Sequence, residues 1–196
     1  EIRMVRILVI YGAIHVNVLL LSLFLLGYVD VGILMMLQVA FLAIISWDWI
    51  RYGKGIVSLS LKKRAYWLFG SLMGMVSLTL LMSLLFPVGS RNQEILLTVQ
   101  RQIPNYSFIL FLLNASVVEE YVYRQLIWER LKQPAIQLFV TSFLFTLSHH
   151  PVSLVNWCIY GGLGLSLGFI RLKTDSLTST LLHITWNSLV FLLTFL

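Results

Sequence analysis

Residues 106–128 read YSFILFLLNASVVEEYVYRQLIW. As a helix rising about 1.5 Å per residue, this stretch is long enough to cross a hydrocarbon core of about 30 Å. Yet it carries Glu119, Glu120 and Arg124, together with Asn114, Ser116 and Gln125. An ionisable side chain at mid-bilayer costs at least about 2.5–3.5 kcal/mol on insertion scales, so such groups pair with one another or act. How the fold is read turns on whether the flanking sequence makes this a membrane span or a buried soluble helix.

The flanking sequence decides for the membrane. Of the 196 residues, 59% are hydrophobic and 11% charged, with a mean hydropathy of +0.88. Soluble domains carry about a quarter charged residues, and this chain is too apolar to cover its surface in water. Six further apolar segments appear: Ile7–Leu26, Val31–Ile50, Ala65–Phe86, Ala135–His149, Leu154–Ile170 and Leu177–Leu196. The expected architecture is all-α, a polytopic membrane helical bundle of about seven transmembrane helices. Ala135–His149 is short and bracketed by Pro134 and Pro151, as helix-edge prolines should be. The polar connection Phe86–Pro104 has room for a short interfacial helix. Two parts are expected within one membrane unit: residues 1–105, with three spans, a basic loop and this connection, and residues 106–196, a core that holds the polar helix. Ile7–Leu26 is too long for a signal-peptide core and reads as a true span. The first residue is Glu1 rather than Met, so a preceding segment is expected.

Charge sets the orientation. With seven alternating spans, the N-terminal side holds Arg3, Arg6, Arg51, Lys54, Lys62, Lys63, Arg64, Arg130, Lys132, Arg171 and Lys173, and the other side only Arg91 and Arg101. Basic loops face the cytoplasm, so the N-terminus is expected inside and the C-terminus outside. The net charge of +6 is thereby accounted for by the anionic inner leaflet, and no nucleic-acid partner is implied. The single cysteine, Cys158, excludes an intrachain disulfide. Asn17 and His15 read as interhelical hydrogen-bond partners, and Gly164 and Gly168 as a site of close helix packing.

Helical spacing divides the polar residues of 106–128. Glu120 and Arg124 are four apart and share a face. Glu119 is turned about 100° away, with no basic residue within its helical reach. Two other pairs at the same spacing lie in later spans, Phe145 with His149 and His183 with Asn187. Glu119 lies about 16 Å from Arg130, His149 about 22 Å from Pro134 and His183 about 12 Å from Asp175, depths that allow one shared cavity if the helix of His149 tilts. A carboxylate able to take a proton from water, a histidine to hold that water, and an imidazole and amide to face an oxyanion are the parts of an amide-hydrolysis site.

These motifs resemble a known family. Glu119-Glu120-Tyr-Val-Tyr-Arg124 resembles the E-E-x-x-x-R motif of the type II CAAX prenyl endopeptidase and bacteriocin-processing (CPBP, or Abi) family. Phe145-Thr-Leu-Ser-His149 and His183-Ile-Thr-Trp-Asn187 resemble its F-x-x-x-H and H-x-x-x-N motifs. The resemblance implies an intramembrane endopeptidase acting on a peptide or membrane-associated protein. It makes Glu119 the general base, His149 the group that helps activate water, and His183 with Asn187 the oxyanion hole. Glu120 and Arg124 would orient the site, or serve only as an ion pair between helices. His150 competes with His149 for the histidine role.

No cofactor is expected, although Glu119, His149 and His183 form a set of the kind that can hold zinc. The charge asymmetry and small size point to a bacterial plasma membrane. The alternative function is a non-proteolytic scaffold or assembly factor of the same fold, bound to a partner membrane protein. A transporter with Glu119 as carrier is disfavoured, because neither an inverted repeat nor paired broken helices are visible.

Overall fold

A computed structural model describes the backbone of residues 2–53, 59–86 and 91–194, and the side chains of all of these except 2–11 and 91–93. Lys54, residues 87–90 of the polar connection and residues 195–196 of the last span lie outside the described residues, as do the side chains of Arg3, Arg6 and Arg91.

Apolar runs become helices wherever the chain supplies a start. Asp30 caps α2 (Val31–Tyr52), Ser60 caps α3 (Leu61–Leu85), Ser153 caps α7 (Leu154–Lys173) and Asp175 caps α8 (Ser176–Leu193), each side chain accepting a backbone N–H of the first turn. Pro134 opens α6 (Pro134–Ser148), where its missing N–H costs nothing. Helix α1 (Ile2–Leu25) ends at Gly27, whose φ of 77° makes the tight reversal into α2. The polar connection contains the short helix α4 (Arg91–Gln102). Helix α5 (Asn105–Glu120) follows.

The result is an all-α bundle in which each of the seven apolar segments is helical. Among the described residues, α2, α3 and α8 are long and apolar enough to cross a membrane, while Gly12–Leu25 and Pro134–Ser148 are apolar but shorter. The chain is a membrane-integral protein on this ground.

Helix α5 is the hub, packed against α1, α2 and α8, while α7 packs against α3, α6 and α8. Between apolar helices in lipid, burial of hydrocarbon gives little preference, so hydrogen bonds set which faces meet. Asn17 donates to the Phe111 carbonyl (2.8 Å), which gives one of the two expected polar residues of α1 its partner on α5. Gln38 and Ser107 exchange two bonds (3.1 and 2.9 Å), and Asn114 donates to the Gln38 carbonyl (3.1 Å).

Between α6 and α7 the contact is steric. A Cβ on Gly164 would stand 3.0 Å from the Ser142 carbonyl oxygen and 3.2 Å from Phe145, and one on Gly168 would stand 2.7 Å from Leu138. Gly164→Ala is therefore expected to cost about 1–3 kcal/mol of stability, read as a lower melting temperature in detergent.

At the basic end of the bundle, Arg64 grips Asp175 with two contacts of 2.8 and 2.7 Å, tying the start of α3 to the start of α8. Burial works against the Asp175 charge. The Arg64 hydrogen bond, the Thr178 N–H and hydroxyl, and the Arg64 charge together outweigh it and hold the carboxyl below its ordinary value. A depressed carboxylate stabilises the fold at pH values above its unfolded pKa of about 4, and the gain is lost as pH falls through the lower folded value. The melting-temperature difference between wild type and Asp175→Asn should stay constant from pH 7 to about 5 and shrink below about 4.

Candidate active site

The segment expected as one continuous α-helix is not one. After Glu120 the backbone widens into a π-helix, Tyr121–Ile127, and then tightens into a 3-10 turn, Trp128–Arg130. Spacing at 3.6 residues per turn therefore describes Glu119 and Glu120 but not the turn that carries Arg124. Neighbouring side chains satisfy carbonyls along this stretch. Arg171 Nε donates to the Arg124 carbonyl (2.8 Å), and Gln137 Nε2 donates to those of Trp128 (3.0 Å) and Leu131 (2.7 Å).

Glu120 and Arg124 are both fully buried. They lie on one side, as expected, yet the closest approach of Arg124 Nε to Glu120 Oε2 is 3.9 Å, an ion pair without a hydrogen bond. Arg124 instead donates through Nη2 to the Gly164 carbonyl (2.9 Å) and lies 5.6 Å over the Phe145 ring. The nearer partners of Glu120 come from α8. Ser179 Oγ donates to Oε2, and His183 Nδ1 lies 3.3 Å from Oε1.

Ser176, Ser179, His183 and Asn187 rise along one face of α8 and meet, in antiparallel order, Gln125, Glu120, Glu120 again and Ser116. Ser116 and Ser179 are site neighbours that the motifs do not mark. The signal for Ser179 is present in the sequence, one helical turn before His183 on the same face.

Glu119 differs from its neighbour. It is half-buried, and its Oε2 is buried with no hydrogen-bond partner among the described residues. Arg124 nonetheless feels the charge of both carboxylates, so Glu119 is less isolated electrostatically than helical spacing implied.

The two histidines after Phe145 separate clearly. His149 closes α6 with its Nδ1 2.9 Å from the Phe145 carbonyl, its ring stacked on Tyr160 (4.6 Å) and tilted against Phe145 (4.5 Å). His150 is exposed and occupies the left-handed region at φ 48°, the position past a helix end that favours glycine. His150→Gly should relieve about 1 kcal/mol of backbone strain and raise the melting temperature.

Phe145 joins the site. His149, His183 and Arg124 all pack on its ring, with His183 edge-on at 5.6 Å. Asn187 stands one turn beyond His183, its Nδ2 donating to Ser116 (2.9 Å). Among the described residues no three of His, Cys, Asp and Glu are gathered closely enough to hold a metal ion. His183 Nδ1 already faces Glu120.

Residues 101–189 match the family described as "Type II CAAX prenyl endopeptidase Rce1-like". That segment, less than half of the chain, is what resembles the family. The match spans all three motifs and the helices that carry them, so the Rce1-like assignment and the shared packing around Phe145 concern the same residues. The match supports a CAAX-protease-like enzyme class and is consistent with a membrane-associated substrate. Comparison of the chain with curated proteins and with solved structures gave no significant match.

Proposed function

We propose that this Rce1-like protein is an intramembrane endopeptidase in which Glu119 activates water. The observation that carries the reading is the contrast within the glutamate pair. Glu120 is engaged by Ser179, His183 and Arg124, whereas Glu119 keeps a buried carboxylate oxygen without a hydrogen-bond partner among the described residues. In the reaction, water held by His149 gives its proton to Glu119 and attacks the scissile carbonyl. The oxyanion is met by His183 and by the Asn187 amide, which turns away from Ser116 to reach it. The C–N bond then breaks, and Glu119 returns the proton to the leaving amine.

The Glu120 contact bears on the role of His183. An ionised Glu120 only accepts, so Nδ1 of His183 carries a proton. Nε2 donates to the oxyanion when it is protonated as well, and Glu120 balances the charge that results. No step is routed through a metal.

The seven apolar helices are read as seven spans, with the N-terminus cytoplasmic and the C-terminus outside, in a bacterial plasma membrane. The Arg64–Asp175 clasp supports that reading, because it joins the starts of α3 and α8 at the side expected to be cytoplasmic. In such a membrane the substrate is a peptide or membrane protein without a prenyl group.

Mass spectrometry of membrane and secreted peptides tests the proposal, comparing cells with wild type and with Glu119→Gln. Cleavage products present in wild type and absent from the variant are expected. An unchanged peptide profile beside an unchanged cellular phenotype would favour the scaffold reading.

A further inference from the structure

A groove of about 480 Å³ opens on the outside of the bundle between α3, α6 and α7. Trp67, Gly70, Gly74, Leu138, Leu165 and Phe169 form its walls, and no candidate catalytic residue lines it. Its glycines are unlike those of α6–α7. A Cβ on Gly70 or on Gly74 would meet nothing within 4 Å. Glycine inside a helix costs about 0.5–1 kcal/mol relative to alanine, and no neighbour in the described residues requires these two. Their effect is to leave room.

The groove is lined mostly by apolar residues, with hydroxyls from Tyr66, Ser71 and Ser166, and bases stand beside one end. Trp67 and Phe169 meet edge to face (5.7 Å), and Lys173 Nζ lies 5.5 Å over the Phe169 ring. Lys63 precedes Trp67 by four residues, and Gly70 and Gly74 continue the same helical face. Arg64 is committed to Asp175 and Arg171 to the Arg124 carbonyl, while Lys62 is exposed one residue before Lys63. Lys63 and Lys173 are exposed, and neither forms an ion pair among the described residues. An apolar helix of a partner protein would leave both charges unbalanced, while one phosphate in the leaflet would answer them.

We propose that this groove holds an acyl chain of an anionic glycerophospholipid whose phosphate is bound by Lys63 and Lys173. The site is independent of the proteolytic reading, and it fits the rule that basic pockets at the cytoplasmic ends of helices select anionic headgroups.

Native mass spectrometry of the full chain in detergent, with phosphatidylglycerol and phosphatidylcholine of identical acyl chains, tests it. Wild type should retain phosphatidylglycerol preferentially. Lys63→Gln and Lys173→Gln should each reduce that preference about fivefold, and added salt should weaken it. Gly74→Leu extends a side chain into open space and should displace both lipids with the helical content unchanged in circular dichroism. Equal retention of the two lipids, or an undiminished preference in the double lysine variant, would overturn the proposal. So would phosphatidylglycerol binding that survives Gly74→Leu. A dimer that disappears with Gly74→Leu, without lipid preference, would assign the groove to a second copy of the chain and equally overturn it.

Discussion

Glu119→Ala is expected to lose peptide cleavage while the protein inserts and folds as wild type does. The size of the loss follows from the assigned role. General-base assistance contributes about 10²–10⁴-fold, so the residual rate should be at least about a hundredfold lower. Stability should hardly change, because Glu119 Oε2 has no hydrogen bond to lose among the described residues. Removing a half-buried carboxylate also relieves the crowding of two like charges on adjacent residues. Glu119→Gln keeps the shape and cannot take the proton, so it should be as inactive as the alanine variant. Glu119→Asp retracts the carboxylate by one methylene and should recover part of the rate. Proteoliposome cleavage assays beside melting curves would show both halves of this expectation.

Glu120→Ala should fail in the opposite way, by loss of the fold. It removes the carboxylate from a fully buried ion pair and leaves Arg124 uncompensated. Breaking such a pair on one side costs about 3–5 kcal/mol. Arg124 has little in reserve, because its Nε and Nη1 already lack hydrogen-bond partners among the described residues. His183 loses its carboxylate partner at the same time, and Ser179 is left with the Leu167 carbonyl as acceptor. The expected readout is low recovery from membranes and a melting temperature well below that of Glu119→Ala. Replacing both members with apolar residues, as in Glu120→Leu with Arg124→Met, should restore much of the stability, because the uncompensated charge is gone. If the double variant is as unstable as the single one, the instability has another origin, such as the lost contacts to α8.

Much of this was legible in the sequence because bilayer physics leaves few choices. An apolar run of about twenty residues satisfies its backbone only as a helix, so every apolar segment was found where a helix stands. The three motifs marked their helices because charged, imidazole and amide groups are rare in such runs.

What escaped depends on tertiary partners. The π-helix at Tyr121–Ile127 has no local composition signal; its Arg124 carbonyl is met by Arg171, and the Trp128 and Leu131 carbonyls just beyond it by Gln137, both from other elements. Helical spacing gave the pairing of Glu120 with Arg124 but not the nearer partners of Glu120 on α8, Ser179 and His183. Ser179 was hidden because a serine in an apolar helix ordinarily bonds its own backbone. The choice between His149 and His150 rests on how α6 ends. One residue completes the helix with its ring inward, and the next turns left-handed and outward. Spacing placed His149 on the face of Phe145, but only the fold shows that Phe145 also carries His183 and Arg124.

The central claim is the unequal division of labour between two adjacent glutamates. Its most direct test uses the purified full chain in proteoliposomes, with a peptide substrate identified from cells. Cleavage rate and melting temperature are measured side by side for wild type, Glu119→Gln and Glu120→Gln. Glu119→Gln should melt like wild type and cleave nothing detectable, and Glu120→Gln should melt markedly lower. A Glu119→Gln protein that cleaves at the wild-type rate would contradict the account.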